Sequence, residues 1–153
     1  MKMAISPRPR RKPYAYILEE QIGFMLRRVS QRHSNIFAEQ IGGGLTPTQW
    51  AAMTKLMEIG PVSQNQLGRS VAVDVATIKG VIDRLTARGL TETSVNPRDS
   101  RRLIVELTKA GQQLTEKTIP NAIEITAATL APLTPRERKT LLTLLSKLRK
   151  RAH

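Results

Sequence analysis

A helix, a stop and a hairpin in unbroken succession constrain this chain more than anything else in it. The stretch reads VDVATIKGVIDRLTARGL from Val73 and TETSVNPRDSRRLIVELT from Thr91. Val75, Ile78, Val81, Ile82 and Leu85 recur at spacings of three and four, which predicts a helix over 75–88 with those residues inside, capped by Asp74 and stopped by Gly89. Leu90-Thr91-Glu92-Thr93 and Leu103-Ile104-Val105-Glu106-Leu107 have strand-like content on either side of Asn96-Pro97-Arg98-Asp99-Ser100, where Asn-Pro opens a turn. Such a hairpin, following the helix at once, has to lie beside it.

The remaining elements read as helices. Thr46-Pro47-Thr48-Gln49, Ser63-Gln64-Asn65-Gln66 and Thr134-Pro135-Arg136-Glu137 each place a hydroxyl at the cap and a Gln or Glu three residues on. This pattern satisfies otherwise orphaned backbone donors and starts helices predicted at 47–58, 64–71 and 135–150. Another begins after Thr108, and Pro120 is expected to kink or break it, because proline removes a donor and crowds the preceding turn. From Tyr14 to about Gln40, an apolar stripe of Leu18, Ile22, Met25, Leu26, Val29, Ile36 and Phe37 marks a helix, with Ile17 and Phe24 well off that stripe. A helix apolar on two sides has two packing partners. Gly42-Gly43-Gly44 ends it and lacks the Lys-Ser/Thr sequel of a phosphate loop, so it reads as a hinge. Residues 1–13, MKMAISPRPRRKP, read as a basic, disordered arm whose Arg8, Arg10, Arg11 and Lys12 make weak non-specific contact or none.

Two short helices joined tightly at Ala72-Val73 form a helix-turn-helix unit, and the second helix of such a unit enters a DNA groove. With the hairpin as a wing, residues 46–108 form a winged helix-turn-helix. Ala76, Thr77, Lys79, Gly80 and Arg84 are its groove candidates. Ala76 and Gly80 are small enough for deep seating, Thr77 and Arg84 reach base edges or backbone, and Lys79 suits a phosphate. On the wing, Arg98, Arg101 and Arg102 make a cationic tip for phosphates or a narrow minor groove, with Asp99 orienting a neighbouring arginine. The bland alternative for both sets is a solvated charged face.

Charge points the same way. The 153 residues carry 25 Lys and Arg against 12 Asp and Glu, a net +13 that favours phosphate-bearing partners and salt-dependent binding. The absence of cysteine excludes disulfides and thiolate metal sites, and two histidines make a zinc site improbable, so neither cofactor nor metal is expected. Nucleophile–base pairs, paired carboxylates and phosphate-cradling loops are all missing, which argues against an enzyme. No apolar run is long enough to span a membrane, and a cytoplasmic location is expected.

LGRSVAVDVATIKGVIDRLTARGL followed by NPRDSRRLIVELTKAG resembles the MarR family of bacterial transcription regulators over roughly residues 15–150. Members carry D-x-R-D-x-R in the wing. Here Asn96 replaces the first aspartate while Arg98, Asp99 and Arg101 match, which removes one salt bridge and bears on wing rigidity. SQNQLGRSVAVDVATIKGVIDRL also looks like the branch that regulates nicotinic acid degradation.

The resemblance implies a mainly α homodimer: a winged helix-turn-helix with a two-stranded β wing in each subunit, joined by dimerisation helices at 14–41 and 109–150 within one domain over 14–153. Leu141, Leu142, Leu144, Leu145 and Leu148 support this independently, since a lone terminal helix does not leave such a surface bare. Two reading helices one turn apart favour a pseudo-palindromic operator. Members of the family also bind small aromatic acids between the dimer helices and the DNA-binding lobe. His33 and Trp50 are the ligand candidates here, with Arg27 and Arg28 as possible counter-charge, against the plain alternative of core packing. The sequence thus reads as a repressor relieved by a small aromatic acid such as a hydroxylated nicotinate. The competing reading is a constitutive architectural protein that coats DNA with little sequence preference.

Overall fold

The computed structural model describes residues 15–150, so the basic arm at 1–13 lies outside the described residues. A single turn of 3-10 helix, Leu18–Glu20, leads into α1 (Ile22–Gln40). Then follow α2 (Pro47–Ile59), β1 (Val62–Ser63), α3 (Gln64–Ser70), α4 (Val75–Ala87), β2 (Thr91–Asn96), β3 (Asp99–Leu107), α5 (Lys109–Leu130) and α6 (Pro135–Arg149). The architecture is mainly helical, with a winged helix-turn-helix at its centre.

The capping chemistry sets the helix starts. Thr46 and Thr134 form full capping boxes with Gln49 and Glu137, each behind a proline in the first turn. Ser63, Asp74 and Thr108 each accept a backbone N–H three residues on. Thr108 also donates to the Gly89 carbonyl at 2.6 Å, stitching the start of α5 to the end of α4. That stitch brings Gly111 so close that a Cβ there would run into the Leu90 carbonyl oxygen. Only glycine fits at 111.

The sheet holds three strands in the order β1-β3-β2, all antiparallel, where sequence reasoning expected two. Val62 and Ser63 pair with Val105 and Ile104, so Ser63 is at once a strand residue and the cap of α3. Two residues are too few to show alternation, which is why β1 leaves no mark in the sequence.

Two apolar clusters fill the interior. Ala52, Met53 and Leu56 of α2 meet Leu67 of α3, Ile78, Val81, Ile82 and Leu85 of α4, and Val105 of β3. Phe37, Ile41 and Ile125 join α1 to α5, and Trp50 packs against both clusters.

One expectation is narrowed and another needs correction. Of the two outcomes expected at Pro120, the break is absent, since α5 runs through it from Lys109 to Leu130. The carbonyl freed by the missing N–H belongs to Glu116, and both residues are exposed, so the carbonyl stays open to solvent instead of being buried without a partner. Asn121, just beyond, donates to the Ile41 carbonyl at 3.0 Å and holds the helix against the end of α1. Val75, predicted inside α4, is 63% exposed, because the first turn of α4 projects past the core that receives Ile78.

The apolar stripe of α1 divides: Ile36 and Phe37 at its C-terminal end turn into the core, and its N-terminal part faces outward. Leu18, Ile22, Met25, Leu26 and Val29 are exposed, whereas the off-stripe Ile17 and Phe24 are half-buried.

Candidate nucleic-acid interface

α4 is anchored on one side and open on the other. Its buried face lies in the main cluster, while Ala76, Thr77, Lys79 and Arg84 are exposed and Gly80 is half-buried. The structure therefore gathers all five sequence candidates on α4, and adds Val75 to the open face as an apolar surface suited to a thymine methyl.

Local interactions set how these side chains stand. The Asp74 carboxylate accepts the Thr77 N–H at 2.7 Å. Hydrogen bonds from the Thr77 backbone and side chain hold its pKa below the ordinary 3.8. The Lys79 ammonium pairs with Asp83 at 2.9 Å, one turn on, so a phosphate would have to share or take it. The Arg84 guanidinium lies over Gly80, where an added Cβ would sit 3.5 Å from Nη2. Gly80 thus keeps the groove face low, and even a Cβ there would meet the arginine only at ordinary contact distance.

The wing tip is tied although one aspartate of the usual motif is absent. The Asn96 side-chain oxygen accepts the Arg98 N–H at 2.9 Å, doing the turn-closing work a carboxylate would do. Asp99 accepts the Arg101 backbone N–H at 3.1 Å and lies 3.4 Å from the Nε atoms of both Arg101 and Arg102. Those two side chains are 91% and 67% exposed, so Asp99 aims them without burying them. Arg98 is exposed in the turn itself. Between the wing and the start of α3 lies a concavity of about 220 Å³, lined by Ser63, Gln64, Asn65, Arg69, Arg101 and Arg102. Arg69 joins the wing arginines there. Its position is set by the fold rather than by the helix pattern, and sequence reasoning passed over it.

The two ligand candidates lie away from this surface. His33 is half-buried on α1, with Nδ1 2.8 Å from the Thr129 hydroxyl on α5. That hydroxyl donates its one proton to the Ile125 carbonyl at 2.8 Å, so His33 donates through Nδ1 and its Nε2 is left to accept. Trp50 packs between the two apolar clusters. Of the arginines considered with them, Arg28 rests 6.0 Å from the Phe24 ring centroid. Arg32, overlooked in the sequence, donates to the Ala128 and Thr129 carbonyls at 3.0 and 2.7 Å and so caps the C-terminal end of α5.

A protein-family model, "MarR family", matches residues 45–103. The HTH-type transcriptional repressor NicR of Pseudomonas putida is 41% identical over 134 residues, 87% of this chain and 85% of NicR. The chain belongs to the MarR family. Solved structures of MarR-like chains match it along nearly their whole length. A probable transcriptional regulator from Pseudomonas aeruginosa is 52% identical, with a TM-score of 0.85 over 86% of this chain and 99% of its own. Bordetella bronchiseptica BpsR, whose DNA binding is regulated by 6-hydroxynicotinic acid, is 38% identical, with a TM-score of 0.86 over 91% of this chain and all of BpsR. The chain is accordingly a transcriptional regulator of the MarR family. Among the described residues, no helix is long and apolar enough to cross a membrane.

Proposed function

We propose that this regulator is a homodimeric repressor that reads a pseudo-palindromic operator and lets go of it when a small hydroxylated aromatic acid binds. The observation that carries the DNA half is the open face of α4. Val75, Ala76, Thr77 and Arg84 stand clear of the core, and Arg101 and Arg102 extend from the wing. α4 reads base edges in the major groove, Lys79 takes a phosphate, and the arginines of the wing reach backbone or minor groove.

The dimer is supported by apolar surface that a single chain leaves bare. Ile22, Met25, Leu26 and Val29 on α1 and Leu142, Leu144, Leu145 and Leu148 on α6 are all exposed. Val29, Arg32, Leu133, Leu141 and Leu145 also line a groove of about 690 Å³ between these helices. A second copy of the chain is the occupant this surface fits, because rows of leucine on two helices suit the same rows on a symmetric partner. In this reading 46–108 is the DNA-reading part of one domain, and 14–41 and 109–150 hold the dimer together.

The effector half rests on the likeness to BpsR and on His33, whose Nε2 is left to accept from a ligand hydroxyl. Trp50, touching both apolar clusters, stands where a ligand would alter the angle between the DNA-reading lobe and the α1–α5 frame. Such a ligand acts only through its differential affinity for the two arrangements.

The net charge of +13 favours a second reading, a coating protein with little sequence preference. Fluorescence anisotropy separates the two, using labelled DNA from upstream of this gene against scrambled DNA at matched salt. A regulator prefers its operator by about 10³-fold or more. That preference should collapse on adding 6-hydroxynicotinic acid. A preference that no aromatic acid alters removes the effector half, and equal affinity for both DNAs, repeated across genomic fragments, removes the regulator.

A further inference from the structure

Arg88 stands one residue beyond α4 and reaches across the fold to the turn between α1 and α2. Its Nη2 donates to the Gly43 carbonyl at 2.5 Å and its Nη1 to the Gly44 carbonyl at 3.3 Å. The turn is unusual in its backbone. Gly42, Gly43 and Gly44 follow one another at φ +75°, +64° and +63°, a left-handed run that residues with a Cβ resist. Each carbonyl from Ile41 to Gly44 has a donor. Ile41 accepts from Asn121 of α5, Gly42 from the Leu45 N–H, and Gly43 and Gly44 from the one guanidinium. A planar fork suits two successive carbonyls in a way a single ammonium does not.

The turn therefore has two handles. Asn121 ties it to α5, which packs along α1, and Arg88 ties it to the helix that reads DNA. The main packing partners of α4 are α2, α3 and β2, and this clasp adds a polar tie from its end to the turn that follows α1. Arg88 is also exposed, and a cation on a strongly basic surface would otherwise be left to water.

We propose that Arg88 is a positioning residue for DNA recognition. By clasping the left-handed Gly42–Gly44 turn it sets the angle of α4 against the α1–α5 frame, and with it the fit of two reading helices to an operator. The proposal rests on the reading of α4 as the recognition helix. The plain competitor is an Arg88 that touches a DNA phosphate directly.

Arg88→Ala and Arg88→Lys, made in the full chain, separate them through two measurements. The first is hydrogen–deuterium exchange in the DNA-free protein, which reports local opening. Both variants should exchange faster in two segments, 41–46 and 85–90, with the melting temperature checked alongside. The second is anisotropy against operator and scrambled DNA over a range of salt. Operator preference should fall about 3- to 30-fold in both variants, the range seen when residues couple elements without touching the ligand. The salt slope should not change.

A slope reduced by about one, with recovery in Arg88→Lys, makes Arg88 a phosphate contact and overturns the proposal. Faster exchange with unchanged preference reduces the clasp to a structural tie, which also overturns it. Unchanged exchange means the clasp does not hold the helix at all. Should the wild-type protein itself show no preference, the regulator reading fails instead. The exchange measurement then still decides whether Arg88 holds α4 to the turn.

Discussion

Arg84 and His33 are the residues on which the proposed reading of DNA and of effector turns. Arg84 projects from the exposed side of α4 with its guanidinium over Gly80, where it is open to a base edge. Arg84→Ala should lower operator preference by about 1–3 kcal/mol, some 5- to 150-fold, while affinity for scrambled DNA changes little. An equal loss on both DNAs, measured by anisotropy, would assign Arg84 to phosphate. His33→Ala removes a donor to Thr129 and the acceptor at Nε2. It should abolish the response to 6-hydroxynicotinic acid and spare operator affinity; a retained response returns His33 to simple packing. The face holding Thr77 and Arg84 was legible because it follows from a helical wheel. Arg88 and Arg32 were not, since their acceptors are backbone carbonyls 44 and 45, and 96 and 97, residues away. No side-chain pattern announces a carbonyl.

Among the elements, the wing and α4 behave differently toward ions. Arg101 and Arg102 are exposed and aimed by Asp99 rather than neutralised in a buried pair, so each is free to displace counterions from DNA. Replacing either by alanine should weaken binding to every sequence and shallow the salt slope by about one. An unchanged slope would take the wing off the DNA. α4 carries a pH dependence through its cap. Hydrogen bonding to Thr77 lowers the Asp74 pKa in the folded state, so its contribution to stability is present above the unfolded value of 3.8 and is lost as pH falls through the folded value. Asp74→Asn keeps a cap but cannot titrate there. Its stability below about pH 4 should therefore fall less steeply with acid than that of the wild type, as followed by circular dichroism. Parallel acid slopes would remove Asp74 from the acid response. The hairpin and the capped helix starts were readable in advance because each is decided within about four residues. Whether Pro120 would break α5 was left open by the sequence, because the outcome depends on the exposure of Glu116 and the tie from Asn121 to Ile41.

For the whole molecule, the decisive feature is apolar surface the single chain does not use. The N-terminal part of the α1 stripe, Ile22, Met25, Leu26 and Val29, faces outward beside the exposed leucines of α6. Leu144, half exposed at 50%, lies within that surface. Leu144→Glu should convert a dimer into a monomer by sedimentation while leaving the helical signal intact. Operator affinity should then drop by about 10²- to 10⁴-fold, the advantage lost when two linked reading modules become one. A variant that stays dimeric would move the interface elsewhere.

What the sequence determined by itself was local: where helices begin, which residues share a face of α4, where the hairpin turns and what charge its tip carries. Those properties depend on capping, periodicity and turn chemistry, all of which act between near neighbours. The tertiary structure alone decided which side of α1 is covered, that a two-residue β1 joins the wing, and that Val75 lies outside the core. It also decided that Arg88 holds a glycine turn far back along the chain. Coverage and long-range backbone acceptors exist only once distant segments meet, so no reading of neighbours can supply them.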